Sequence, residues 1–584
     1  MPLIGTAGHV DHGKSTLIES LTGRDPDRWR EEKQRGLTID LGFAWAALPD
    51  GTEVSFVDVP GHERFLKNML AGIEAIDVAL FVVAADEGWK PQSEEHLAVL
   101  DLLEVTRGVV ALTKTDLADP DLAELATAEI EEMLAGTTLE AAPIVPVSAV
   151  SGIGMSDLMD ALAAVVPSGQ TDNARPRLWV DRSFPIAGAG TVVTGSLLDG
   201  KISVDQTIEV YPGGRTGRIR SIQSHEKSYH TVESGRRVAL NIGGVSHDEI
   251  ERGDMIGLPD QWTCTNRVAV RMRPARFVDE IERRGAYQMH IGSSAHRVDI
   301  TGLEEDVAVL QLDEELPTAV GDRFILRDTG RQLVVAGGRV LDPAPGRTKE
   351  ALSKAGAIDP SVDADTIADD LLAIRGHDDS GRLETHSRGG RPRRALLIGN
   401  EAVHHEHLQH LIATAEDLVE ADHKSHPLRP GLPLATLAEQ VGASRALAER
   451  LVEESSRLGR AGPNVMVEGH SNVLTNAQER AWQSAEARLR ERLAVPDELE
   501  LGVDQEVIGL KIRAGELVRV GPGIVYLPEQ IEEIKQSLAS CGEAFTVAQF
   551  RDASGLSRKY AVPILEWCDK EGLTVRRGDI RSLR

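Results

Sequence analysis

Over the first 165 residues, short apolar runs alternate with stretches whose apolar residues recur at helical spacing. Pro2–Thr6, Glu53–Val57, Val78–Val83, Gly108–Leu112 and Pro143–Val147 are continuous apolar runs with polar flanks, the pattern of buried strands. Lys14–Leu21, Ser93–Leu103 and Leu122–Leu134 lie between them and predict helices. Such alternation builds a parallel sheet with helices on both faces. Pro167-Ser168-Gly169-Gln170 reads as a linker that closes a first α/β domain over residues 1–170.

From Asn173 the pattern changes. Val-, Ile- and Thr-rich runs (Gly190–Leu197, Gln206–Val210, Arg218–Ile222, Arg237–Ile242) are punctuated by Gly and Asp, as in antiparallel β-barrels. This texture continues to Asp342-Pro343-Ala344-Pro345. A junction near residue 260 divides it into two barrels, 173–260 and 261–346. Beyond Gly346, helical segments rich in Ala, Leu, Glu and Arg alternate with short strands. Leu437–Glu453 and Phe550–Glu566 match at a constant offset of 113, with Gly442/Gly555, Ser444/Ser557, Arg445/Arg558, Ala448/Ala561 and Glu453/Glu566 identical. An apolar helix, a G-x-S turn and a second apolar helix predict a helix-turn-helix. The strand pairs Asn464–Glu468 and Thr574–Arg581 add a wing to each copy. Residues 347–584 have room for four tandem α+β winged helices, the last over about 530–584.

Composition narrows the class. At 584 residues, 41% hydrophobic and 27% charged, the chain is long enough for several packed cores. Lys and Arg total 64 against 92 Asp and Glu, so 64 − 92 gives a net charge of −28. That argues against a surface coated with nucleic acid or lying on an anionic membrane. A local basic site stays open, because screening confines charge to about 10 Å. Cys264, Cys541 and Cys568 are too scattered for a disulfide framework or a CxxC metal pair. The apolar run Ile76–Ala85 contains Asp77 and is far shorter than the roughly 20 residues of a membrane span. Met1–Ala7 lacks the charge and length of a signal peptide. The expectation is an acidic cytoplasmic protein of a reducing compartment, with no membrane partner.

The first domain carries a phosphate-binding motif. Gly8-His9-Val10-Asp11-His12-Gly13-Lys14-Ser15 fits G-x-x-x-x-G-K-[ST] between a strand and a helix. Its backbone N–H groups wrap phosphate oxygens at the positive helix end, Lys14 reaches the β- and γ-phosphates, and Ser15 ligates Mg²⁺. Gly8, Asp11, His12, Gly13, Lys14, Ser15 and Thr16 are thus candidate nucleotide contacts. Asp58-Val59-Pro60-Gly61 follows a strand, placing Asp58 to hold Mg²⁺ and Gly61 to turn its N–H toward the γ-phosphate. Thr113-Lys114-Thr115-Asp116 follows the next strand but one. There the Asp116 carboxylate can accept from guanine N1 and N2, with the Lys114 stem over the base. Ser148, Ala149 and Val150 offer backbone N–H groups to guanine O6. The usual Asn-Lys-x-Asp has Thr113 in place of Asn, a smaller side chain to bridge to the phosphate loop.

With GHVDHGKS, RGLTID (Arg35–Asp40), DVPGHERF (Asp58–Phe65), TKTD and GAGTVVTG (Gly188–Gly195) in order, the first 345 residues resemble a translational GTPase of the EF-Tu type. The resemblance implies GTP and Mg²⁺ as cofactors. It makes Thr38 the residue that binds Mg²⁺ and the γ-phosphate, His62 the residue that orients the attacking water, and Val10 and Leu37 an apolar gate. The alternative for His62 is a surface histidine beside a glycine turn, but its place directly after Asp58-Val59-Pro60-Gly61 favours the functional role.

The remaining length and the short Asp27–Ala44 segment resemble the selenocysteine-specific elongation factors, as do Gly555–Lys559, Ile564–Glu566 and Thr574–Gly578. That family carries four C-terminal winged helices, the last of which binds a hairpin in selenoprotein mRNA, the SECIS element. The resemblance implies a monomer that delivers selenocysteyl-tRNA to the ribosome at UGA codons. It places Asp181, Arg182 and Arg237 in an aminoacyl pocket where Asp181 orients Arg182. A selenol is largely selenolate at pH 7, so cations there favour it over the seryl precursor. As residues alone, these three read equally as an exposed salt bridge. Arg558 and Lys559 at a helix start, with Arg576 and Arg577 in the wing, are the expected RNA contacts. Arg576, Arg577, Arg581 and Arg584 against Asp579 give residues 572–584 a net of +3.

Two other readings use the same motifs: the GTPase subunit of a sulfate-activating metabolic complex, and a winged-helix regulator that senses GTP. Neither accounts for both the winged-helix tail and Arg182. His404, His405, His407 and His410 read as solvated helix histidines, and Gly389–Arg394 as a flexible wing or linker. Trp29 reads as a switch-adjacent aromatic and Trp45 as a core one.

Overall fold

The computed structural model describes residues 2–26, 41–59, 76–167, 175–186, 188, 190–347, 349–470 and 472–584. The chain divides into two units, Met1–His405 and Glu406–Arg584, taken here in turn.

Six strands make the first sheet: β1 (Leu3–Ala7), β2 (Gly42–Ala47), β3 (Glu53–Asp58), β4 (Val78–Ala84), β5 (Gly108–Thr113) and β6 (Ile144–Pro146). Their order is β2-β3-β1-β4-β5-β6. β2 is antiparallel to β3 and the other pairings are parallel. Alternation sorts side chains to two faces. On β4, Val78, Leu80 and Val82 join Leu17, Ile18, Leu158 and Leu162, from α1 (Lys14–Thr22) and α4 (Met155–Val165). Ala79, Phe81 and Val83 face the other way, onto α2 (Pro91–Leu102) and α3 (Pro120–Leu134). A sheet buried on both faces reads as continuous apolar strands, which is why its central strands are legible in the sequence. β2 and α4 escape the apolar pattern.

Two barrels follow. In the first, strands between Arg177 and Gly257 close a ring through the pairing of Thr207–Tyr211 with Arg215–Ser224. The second is a closed barrel of six strands, from Cys264–Pro274 to Leu333–Asp342. Its residues Ala275, Ile325 and Val334 continue the core on the α2 face of the first sheet.

The tail holds four helix-and-wing copies among the described residues. The second and fourth have three-stranded sheets of the same order, Leu432–Pro433 with Leu458–Ala461 and Asn464–Val467, and Ala544–Thr546 with Thr574–Arg577 and Ile580–Leu583. Their helix pairs are Leu434–Val441 with Arg445–Glu454, and Val547–Ser554 with Arg558–Lys570. Gly442 and Gly555 end the first helix of each pair at φ 72° and 68°, and Ser444 and Ser557 start the next. The repeated G-x-S is therefore a left-handed helix stop followed by an N-cap. The first and third copies are abbreviated. The third has only a two-stranded wing, Val518–Gly521 with Ile524–Tyr526.

In the first copy, Ala364–Arg375 and Ser380–His386 are helical, but residues 387–394 form no further helix before the wing strands Ala395–Ile398 and Glu401–His404. The expected flexible Gly389–Arg394 is instead tied down. Arg393 pairs with Asp363 and Asp365 at 3.0 and 3.1 Å, and the Arg391 N–H donates to Asp365. This copy belongs to the first unit. Leu371, Leu372 and Leu383 share a core with Val307, Val309 and Leu341 of the second barrel.

Buried charge reinforces that joint. Asp322 accepts from Arg177 of the first barrel and Arg388 of the first tail copy, each at 2.7 Å. Burial alone would raise the Asp322 pKa, but the two guanidinium groups outweigh it and hold the carboxyl below the usual range. Removing one partner of a buried pair strands the other charge, at about 3–5 kcal/mol. We expect Asp322→Ala to lower the unfolding free energy of the first unit by that amount, measured by urea titration at pH 7. Because the folded-state pKa is depressed, the Asp322 contribution is complete above about pH 3.9 and fades as pH falls through the folded-state value. The difference between wild type and Asp322→Ala should therefore shrink in acid.

Candidate functional site

The phosphate loop leaves β1 at the centre of the sheet, between β3 and β4. Gly8 adopts φ +122°, and a Cβ there would stand 2.1 Å from the Val82 carbonyl oxygen, so only glycine fits. Val10–His12 makes one 3-10 turn before Gly13 opens α1. Lys14 is buried, and its Nζ donates to the Gly8 and His9 carbonyls at 3.0 and 2.7 Å. Burial pulls its pKa down to about 8, against the opposing pull of Asp58 and Asp11. His12 is also buried, near the Val82 carbonyl at 3.3 Å, and burial takes it to about 4, so it is neutral at pH 7. Asp11 and Thr16 face solvent.

Asp58 ends β3 with no exposed surface. Ser15 Oγ donates to its Oδ2 at 2.7 Å and Thr6 Oγ1 to its Oδ1 at 2.8 Å. A hydroxyl and a carboxylate held together at a helix N-terminus are hard oxygen donors, the set that Mg²⁺ takes with water and phosphate. The residues present therefore fit that ion.

The TKTD segment lies where β5 ends. Thr113 Oγ1 donates to the His12 carbonyl at 2.7 Å, so the shorter residue bridges to the phosphate loop. Lys114 has φ +57°, and its Nζ meets Glu87 at 2.9 Å. Asp116 is exposed beside it. Ser148 follows β6 in a tight turn, its Oγ accepting from Ser151 N–H and its N–H donating to Ile153 O. Ala149 is half-buried and Val150 is 86% exposed. The ends of β1, β3, β5 and β6 thus converge on one edge of the sheet, where open α/β sheets bind ligands. Thr38, Gly61 and His62 lie outside the described residues, as do Leu37 and Trp29.

A second constellation stands where the first barrel meets β2. Arg237 grips Asp181 with two bonds, Nε to Oδ2 at 2.9 Å and Nη2 to Oδ1 at 3.0 Å. Thr194 Oγ1 donates to the same carboxylate at 2.5 Å. The Arg237 guanidinium lies over the Phe43 ring of β2 at 3.9 Å, a contact the sequence reading missed. Alternation along β2 was its available signal, since it puts Phe43 and Trp45 on one face. The Asp181 and Arg237 side chains are only 12% and 14% exposed, so the pair is not an exposed salt bridge. The carboxylate expected to orient Arg182 holds Arg237, and Arg182 sits half-buried on the same strand. Arg237, Phe43, Trp45, Ser55, His225 and Glu226 line a cavity of about 200 Å³. Trp45 is not a core residue. It is sandwiched between the Arg24 guanidinium, 3.8 Å from its ring, and the His225 imidazole at 4.8 Å.

In the last winged helix, Arg558 and Lys559 are exposed at the first turn of their helix, with Ser557 as N-cap. Arg576 and Arg577 are exposed on the wing. Arg581 differs from the sequence expectation. It is 3% exposed and paired with Asp569 at 2.9 Å, so it belongs to the core and not to the basic face.

Known proteins match the chain segment by segment. Residues 1–168 match the elongation factor Tu GTP binding domain, and residues 190–257 elongation factor Tu domain 2. Residues 265–347 match the β-barrel domain of selenocysteine-specific elongation factor, and residues 537–583 the winged helix of elongation factor SelB. The chain is 33% identical to the selenocysteine-specific elongation factor of Desulfomicrobium baculatum, over 100% of both proteins. It is 31% identical to that of Escherichia coli K12, over 100% of this chain and 98% of the relative. A crystal structure of a bacterial selenocysteine-specific elongation factor superposes with a TM-score of 0.71 at 28% identity, over 100% of each chain. Similarity of this kind extends through the barrels and the tail, which a shared GTPase domain alone would not produce. The chain belongs to the selenocysteine-specific elongation factors, translational GTPases that bind guanine nucleotide.

Proposed function

We propose that the chain carries selenocysteyl-tRNA to ribosomes at UGA codons marked by a SECIS hairpin, and that its last winged helix holds that hairpin. The observation that carries this reading is Arg237, which lines the cavity together with Phe43 and is held by two bonds to Asp181. Arg237, with Arg182 next to Asp181 on the same strand, supplies guanidinium groups suited to a selenolate and indifferent to a seryl hydroxyl. The bidentate grip fixes the guanidinium before cargo arrives, so little rotamer entropy remains to be lost.

On this reading the phosphate-loop amides and Lys14 hold the GTP phosphates, and Asp116, Lys114 and the Ser148–Val150 turn hold guanine. Ser15 and Asp58, with Thr38, hold Mg²⁺, which neutralises charge on the β- and γ-phosphates. Gly61 senses the γ-phosphate and His62 orients water, so hydrolysis waits for the ribosome to complete the site. A hairpin gripped by Arg558, Lys559, Arg576 and Arg577 raises the local concentration of the charged tRNA at one ribosome. Similarity over the whole chain favours this over a metabolic GTPase subunit or a transcriptional regulator. The reading also takes the protein to act as a cytoplasmic monomer. No described helix is long and apolar enough to cross a membrane.

Filter binding in the presence of GTP tests the cargo. Selenocysteyl-tRNA should be retained at concentrations where seryl-tRNA is not, and equal retention would refute the proposal. Arg237→Ala should cut the ratio of the two affinities about tenfold to a hundredfold, by analogy with other lost charge-assisted contacts. Arg237→Lys should rescue little of it, because an ammonium cannot make the paired bonds to Asp181.

The RNA face separates by burial. Arg576→Ala with Arg577→Ala should weaken hairpin binding and flatten its dependence on salt by about one to two counterions, at unchanged melting temperature. Arg581→Ala should lower the melting temperature first, since it leaves Asp569 without its buried partner.

A further inference from the structure

The loop that receives the nucleotide phosphates is supported by a helix outside every nucleotide motif. α2 runs beside it and presents Gln92 and His96, four residues apart on one face. His96 Nδ1 accepts the Gly8 N–H at 3.0 Å, and Gln92 Oε1 accepts the Val10 N–H at 3.3 Å. His96 is 2% exposed. Burial, with Lys14 and His9 nearby, takes its pKa to about 3, so the ring is neutral and its Nδ1 lone pair is free to accept. Both peptides that flank the Gly8 Cα are thereby fixed, the Ala7–Gly8 N–H on His96 and the Gly8–His9 carbonyl on Lys14. The far end of the helix is anchored too. Asp101 pairs with Arg273 of the second barrel at 2.6 Å and accepts the Thr138 N–H at 2.9 Å.

We propose that His96, assisted by Gln92, is a positioning residue for guanine nucleotide. It holds the first peptide of the loop in the orientation that lets the Gly13–Ser15 amides and Lys14 meet phosphate. Without the acceptor, the Gly8 N–H is a buried donor with no partner, and the loop can recover only by turning that peptide toward water or toward the phosphates. Either movement changes φ at Gly8, the torsion that joins that peptide to the next, and so disturbs the Gly8 carbonyl's contact with Lys14. The nucleotide should then leave faster while guanine recognition at Asp116, on the other side of the site, is untouched. The inference rests on reading residues 8–16 as the phosphate loop.

The test measures dissociation of a fluorescent GDP analogue from the full-length chain, beside its melting temperature. His96→Ala should accelerate dissociation about tenfold to a hundredfold, the scale of one unsatisfied buried donor. His96→Asn puts an amide oxygen at the δ position of the imidazole acceptor, and should return the rate to within about threefold of wild type. Gln92→Ala, whose bond is longer and half-exposed, should accelerate it about threefold. The GDP-over-ADP preference should hold in all three. The proposal is overturned if His96→Asn is as fast as His96→Ala, or if the melting temperature falls without a change in rate. Should His96→Ala fail to fold, His96→Asn and Gln92→Ala decide it through the same rates. A Lys14→Ala control isolates the premise: if it binds nucleotide like wild type, the loop reading itself fails. If Lys14→Ala loses nucleotide and His96→Ala does not speed release, only the role given to His96 fails.

Discussion

A carboxylate sealed from water has to be met by donors, and the position of Asp58 makes that requirement organise the molecule. Its two oxygens take hydroxyls from Thr6 on β1 and from Ser15 on α1, tying the ends of β1 and β3 to the first turn of the phosphate-loop helix. The same strand end stands opposite Gly42 in the β2–β3 register, one residue from Phe43 and its contact with Arg237. A short covalent and hydrogen-bonded route therefore joins the groups suited to Mg²⁺ with the cavity at the first barrel.

Arginines do much of the joining in this acidic chain. Arg273 and Arg339 pair with Asp101 and Glu104 between the GTPase domain and the second barrel. Arg177 and Arg388 converge on Asp322, and Arg375 sits between Asp342 and Asp378. Guanidinium suits such joints because its planar fork can serve two carboxylates at once and stays charged when buried. At Asp322 and Arg375, where the charges are buried, solvation is lost that hydrophobic contact would not cost, so those pairs are better read as fixing which surfaces meet than as net stabilisation. Net charge, a sum over all residues, is blind to this division between cations spent inside joints and cations left on a surface.

The same blindness explains what the sequence reading reached and what it missed. Strands buried on both faces announce themselves as apolar runs, and G-x-S announces a helix stop and cap. The GTPase sheet and the two complete winged helices were therefore legible. Those were also the only two copies the repeat revealed, because the first lacks the helix after the turn and the third lacks a strand. Edge strand β2, rich in Ala with aromatic residues on one face, has no such run. Arg581 read as a surface cation because counting charge does not say which way a strand residue points, and its partner Asp569 lies twelve positions earlier. His96 carried no motif. Its partner is the N–H of a glycine 88 residues away, which only the fold brings within reach.

The two complete winged helices share a frame, so their differences isolate what sets the charge of the last one apart. Arg445 and Arg558 occupy the same position at the start of the second helix, but Arg445 is paired with Glu449 one turn on, where the last copy has Val562. The next residue is Ala446 in one and Lys559 in the other. On the first wing strand, Arg460 and Ala461 stand where the last copy has Arg576 and Arg577. Along the second helix, Arg445–Glu454 has two cations against three acids, and Arg558–Lys570 has three cations against two. An anionic backbone approaching the helix N-terminus meets a neutralised arginine in one copy and an uncompensated basic pair in the other. The wing deepens the contrast, because two adjacent exposed arginines stand on its first strand only in the last copy. The last copy thus concentrates exposed positive charge locally in a strongly acidic chain, a feature that the net charge of −28 does not reveal.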